Sequence, residues 1–77
     1  MTNRYHLIRE GSFSLAWRCP KAARAVAFVS AVNASRFERM ASESDPESAR
    51  LYGELARVER ARAADFAALA VTLRGAL

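Results

Sequence analysis

The hydrophobic period of this chain changes at Cys19-Pro20. Upstream, Phe13, Leu15, Trp17 and Cys19 alternate with Ser14, Ala16 and Arg18, the repeat of two that a half-buried strand requires. Downstream, apolar residues recur at three and four, the spacing of one helical face. A short sheet piece followed by helices restricts the fold class to α+β. The expected architecture is an N-terminal β-hairpin packed on a two-helix antiparallel α-hairpin (ββαα).

The β-hairpin is expected over residues 4–19. Tyr5 to Arg9 and Ser12 to Arg18 flank Glu10-Gly11, and a glycine between two alternating runs marks a turn. A two-residue Glu10-Gly11 loop would set Ile8 and His6 beside Phe13 and Leu15, but type I′ turns favour Asn or Asp where Glu10 stands. A three-residue Arg9-Glu10-Gly11 loop, with Gly11 left-handed in a G1 bulge, fits the residues better. That register collects Tyr5, Leu7, Phe13, Leu15 and Trp17 on one face and turns His6, Ile8, Ser14, Ala16 and Arg18 outward.

Pro20 suits the first turn of a helix, where its missing N–H would be unpaired anyway. A first helix is therefore expected over 20–43, with Ala22, Val26, Val29, Asn33, Phe37 and Met40 on its stripe, widened by Ala25, Phe28 and Val32 and interrupted by Arg36. Ser35-Arg36-Phe37-Glu38 matches a capping box, so a break at Asn33-Ala34 into two shorter helices is the alternative. At Ser44-Asp45-Pro46-Glu47 a capping residue, a first-turn proline and a first-turn acid coincide. The second helix is expected over 46–74, with Leu51, Tyr52, Leu55, Val58, Phe66, Leu69, Ala70 and Leu73 on its stripe and Arg74-Gly75 closing it.

A short turn makes the helices antiparallel. Arg36 is then expected near Glu59 and Asn33 near Arg62, polar pairs that contribute little net stability but fix the register. Beyond Ala56, a second small-residue face of Ala63, Ala64, Ala67 and Val71 lies opposite the Leu/Phe stripe. Two apolar faces imply two partners, and this second face is an oligomer-face candidate for a homodimer.

At 77 residues the chain is a single domain, 1–77, and a domain this small buries only about 60% of the surface its unfolded chain exposes. Self-association would relieve that. Hydrophobic residues at 52% and charged residues at 26% suit a folded soluble protein, and no run approaches the ~20 apolar residues of a membrane span. One cysteine cannot form an internal disulfide, and the N-terminal stretch lacks the apolar core of a secretory signal, so a cytoplasmic location is expected.

Catalytic, cofactor and metal constellations are not expected: a single His6 and a single Cys19 cannot build a zinc site, and no Gly-rich phosphate loop is present. Charge is more informative. The net charge is +4 with a pI near 10.2. Residues 1–42 hold seven basic and two acidic side chains, net +5, whereas residues 43–77 hold five and six, net −1. Arg18, Lys21 and Arg24 crowd the start of the first helix, where the macrodipole disfavours cations. Cys19 is a poor cap, so unpaired N–H groups with three cations make an anion or partner-binding candidate, extended by Arg4 and Arg9.

Phe13-Ser14-Leu15-Ala16-Trp17, followed by Pro20 and two helical segments breaking at Asn33-Ala34-Ser35, resembles the strand-helix-helix plan of ribbon-helix-helix DNA-binding proteins. The resemblance implies a dimer whose paired strands enter the major groove, with Ser14, Ala16 and Arg18 as base readers. A preceding hairpin strand, small outward residues and a long second helix depart from that plan. In size and lack of enzyme motifs the chain also resembles phage and plasmid proteins that disable bacterial defence complexes, anti-CRISPR proteins among them. The leading expectation is a non-enzymatic inhibitor or adaptor of a larger protein or nucleoprotein complex. The alternatives are a dimeric DNA-binding regulator and a structural subunit of a helical assembly.

Overall fold

In the computed structural model, which describes residues 16–76, two helices, α1 (Pro20–Ser42) and α2 (Pro46–Ala76), pack against each other as an antiparallel hairpin. α1 starts where the sequence stops being able to extend. Cys19 is extended (φ −126°, ψ 119°), its carbonyl accepts the Ala23 N–H at 3.0 Å, and Pro20 occupies the first helical turn without forfeiting a bond. The far end is closed by serines. Ser42 Oγ donates to the Arg39 carbonyl at 2.7 Å and Ser44 Oγ to that of Met40, occupying acceptors that the last turn leaves open.

The chain reverses over residues 43–45. Asp45 then caps α2: its Oδ1 accepts the Ser48 N–H at 2.7 Å and its carbonyl accepts that of Ala49 at 2.7 Å. Pro46 and Glu47 fill the first turn, where proline loses nothing and an acid opposes the macrodipole.

Small residues set the contact between the helices. Ala49, Ala56, Ala63 and Ala70 fall seven apart, as do Tyr52, Glu59, Phe66 and Leu73, and all eight are buried or half-buried. A strict repeat of seven keeps one narrow seam against a partner helix. The α1 side of the seam is Ala23, Val26, Ser30 and Ala34, all buried, and alanines at the crossing let two backbones approach closely. Ala16, Ala23, Val26, Phe66 and Ala70 form the main buried cluster, with Ala22, Ala27, Leu69 and Leu73 packed around it. Two aromatic pairs bracket the seam, Trp17–Phe66 at 5.4 Å and Phe37–Tyr52, stacked at 6.3 Å.

Three expectations are overturned. The α+β class fails for the described residues, which are all-α with no strand. Ala16 is helical and Trp17-Arg18 form a turn, so the second hairpin strand does not reach Cys19, and residues 4–15 of the expected hairpin lie outside the described residues. The reason is visible in burial. A repeat of two would expose Ala16 and bury Trp17, but Ala16 is 0% exposed within the helical core and Trp17 is 65% exposed. Without that strand, and with α1 unbroken across Asn33-Ala34, the strand-helix-helix plan of the ribbon-helix-helix resemblance is lost as well. Helix propagation adds a bond for every residue fixed, which outweighs the local Ser35 capping signal.

The third correction concerns α2. Leu51, Leu55 and Val58, expected against the first helix, are exposed. The alanine seam takes their place.

Candidate functional site

The feature of this hairpin with chemical potential is the face it leaves open. Arg60 of α2 reaches across to α1, its Nε and Nη2 donating to Glu38 Oε2 and Oε1 at 3.0 and 2.6 Å, with Ser35 Oγ at 3.3 Å. This bidentate pair defines one flank as polar. The Arg60 guanidinium holds the Glu38 carboxyl below its usual range, and Glu38 in turn raises the pKa of Arg60.

Val29, Val32 and Met40 lie on the other side of the α1 seam from Glu38, and Leu51, Leu55 and Val58 on the other side of the α2 seam from Arg60. In an antiparallel pair these two remaining sides face the same way. The six residues are between 38% and 59% exposed. Together they expose on the order of 500 Å², the size of the largest apolar patch on a typical monomeric protein, which is often functional. Phe28 and Trp17 are further exposed rings of the hairpin.

The apolar flank carries charges of both signs. Arg36 and Asp65 are exposed there, and Arg62 Nη1 donates to Glu59 Oε1 at 3.1 Å from the border of the seam. The second oxygen of Glu59, Oε2, is buried and has no hydrogen-bond partner. A buried carboxylate oxygen left this way is costly, because it has lost water without gaining a donor.

The residues of the expected register pairs, Arg36, Glu59, Asn33 and Arg62, all lie among the described residues. Arg36 is exposed and Glu59 bonds Arg62 on its own helix, while Asn33 is half-buried. Among the described residues, an ion pair that joins the helices is Arg60–Glu38; Glu38 stood out in the sequence only as a capping residue and Arg60 not at all. The expected oligomer face divides as well. Ala63 is half-buried in the seam, and Ala64, Ala67 and Val71 are exposed on the Arg60 side. Sequence reasoning by side-chain size missed the open Leu51/Leu55/Val58 flank. The signal that could have found it is the four alanines spaced by seven.

At the start of α1, Arg18, Lys21 and Arg24 are all exposed, no acid lies in the first turn, and Cys19 makes no side-chain cap bond. Arg4 and Arg9 lie outside the described residues. Among the described residues, no group of three or more His, Cys, Asp and Glu is placed to hold a metal ion, and no helix is long and apolar enough to cross a membrane. No protein-family model matches this chain, and neither a curated protein nor a solved structure matches it.

Proposed function

We propose that this chain acts by binding rather than by catalysis, as a small inhibitor or adaptor within a larger protein or nucleoprotein complex, and that the apolar flank is its docking surface. The observation that carries this reading is the exposure of Val29, Val32 and Met40 on α1 and of Leu51, Leu55 and Val58 on α2, all open on one side of the hairpin. Apolar patches rimmed by charge are how soluble domains meet other proteins. A cytoplasmic setting belongs to the same reading, since Cys19 is a free thiol and a reducing compartment keeps it so.

The test is a paired substitution, Leu55→Asp with Val58→Asp. Both side chains are exposed, so the hairpin should keep its far-UV circular dichroism, while capture of protein partners on the immobilised chain should fall at least tenfold. Undiminished capture by the double variant refutes the reading.

A second reading rests on the start of α1, where Cys19 makes no side-chain cap bond and the exposed Arg18, Lys21 and Arg24 favour an anionic partner such as a nucleic-acid backbone. Fluorescence anisotropy with a labelled duplex then shows affinity falling steeply with salt, the slope dropping by about one on Lys21→Gln. No binding at low salt removes this reading.

A further inference from the structure

The side of α1 that points away from α2 is a surface of its own, meeting the apolar flank only at Val32 and Arg36. Lys21, Ala25, Phe28, Val32, Arg36 and Arg39 are all exposed, and their spacing of three and four sets them in one stripe. That stripe runs opposite Ala23, Val26, Ser30 and Ala34, the buried residues that meet α2. Its middle is apolar, with Phe28 71% exposed. Cations stand at both ends, Lys21 with Arg24 beside it and Arg18 in the turn ahead, then Arg36 and Arg39. We propose that this face of α1 docks on an anionic lipid surface, with Phe28 and Val32 entering the headgroup boundary and the cations meeting the lipid phosphates.

Charge complementarity identifies the occupant. Residues 16–42 hold five basic side chains and one acidic one, Glu38, net +4, whereas residues 43–76 hold five and six, net −1. Glu38 does not face outward with the stripe, because Arg60 of α2 holds it in a bidentate pair on the polar flank of the hairpin. The stripe itself carries no acid from Lys21 to Arg39, about 27 Å of helix. A sheet of anionic headgroups needs cations gathered on one side of a rod, and each one near the surface raises partitioning about fivefold.

The apolar residues between the cations decide which anionic partner fits. A nucleic acid offers phosphates to the cations but little to Ala25 and Val32, since bases stack on rings and Phe28 is the one ring in the stripe. The acyl-chain boundary takes aliphatic and aromatic side chains alike. The long stems of Lys21, Arg36 and Arg39 let their heads stay in the phosphate layer while the apolar centre sinks below it. α1 then lies along the surface, a basic amphipathic helix whose small-residue side is already occupied by α2.

The test is flotation of the full chain with vesicles of phosphatidylcholine alone and of equal parts phosphatidylcholine and phosphatidylglycerol, at about 0.1 M salt, where charges are felt over ~10 Å. The expected result is binding to the anionic vesicles at least tenfold tighter than to the neutral ones. Phe28→Ala should weaken it about fivefold through lost apolar burial, and Arg36→Gln with Arg39→Gln about twentyfold through lost charge. All three side chains are exposed, so the circular dichroism of the hairpin should be retained. Phe28→Leu keeps most of the apolar area and should bind nearly as the wild type does. No binding to the anionic vesicles overturns the proposal, as does equal binding to both compositions. Binding that either the Phe28→Ala or the double arginine variant leaves unweakened also overturns it, because the contact then lies on another part of the chain or is charge alone. A chain that binds a labelled duplex but no vesicles overturns it in favour of the nucleic-acid reading. Protein capture through Leu55 and Val58 is measured without lipid, so the docking reading stands or falls separately.

Discussion

Phe66 is the largest hydrophobic side chain that the described residues bury, at 7% exposure, and its ring meets Trp17 and the Ala23–Val26–Ala70 cluster. Phe66→Ala removes most of the cluster's volume and leaves a cavity that alanine neighbours cannot fill. The expected cost is about 3 kcal/mol, read as a lower urea midpoint. Enlarging the seam should hurt as well. Ala56→Leu, a gain by hydropathy alone, forces apart two helices that meet through small side chains, at an expected cost of about 1–3 kcal/mol. At this scale the sequence is legible where a residue acts locally, as Pro20 and Asp45 do. It misleads where burial decides. Ala16 and Trp17 exchange their expected inward and outward roles because a repeat of two, read over a handful of positions, says nothing about what lies across from them.

Both helices were legible as elements, since Pro20 and Asp45-Pro46 punctuate a chain otherwise free of breakers between residues 20 and 52. The face that α2 presents was not. Leu51, Leu55 and Val58 dominate any pattern weighted by size, whereas helix contact rewards close backbone approach, which Ala49, Ala56, Ala63 and Ala70 supply. Two predictions belong to α2. The Ser48 N–H bonded to Asp45, chiefly, holds that carboxyl below its ordinary range. A depressed folded pKa means that the cap's contribution is complete above the unfolded value near pH 4 and is lost as pH falls through the lower folded value. Asp45→Asn keeps an acceptor at the cap, so its urea midpoint should lose part of the wild-type decline in acid. A variant that declines as steeply as the wild type assigns the acid sensitivity to other carboxylates. Gly53, in mid-helix with open space where a Cβ would stand, should accept alanine with a gain of about 0.5–1 kcal/mol, seen as a higher melting temperature.

The whole molecule poses a stability problem that its elements do not. A seam built largely of alanines buries little apolar area per residue, and a surface ion pair such as Arg60–Glu38, about half exposed on both sides, adds little once water screens it. Small single-core domains usually need a further source of stability, and self-association would be one. Association makes stability depend on concentration. If two chains fold as one dimer, each tenfold rise in concentration stabilises the dimer by about 1.4 kcal/mol, or roughly 0.7 kcal/mol per chain, which moves the melting temperature of a domain this size by a few degrees. Differential scanning calorimetry over a hundredfold range should then show the melting temperature rising with concentration. A melting temperature independent of concentration would mean that one chain is stable alone.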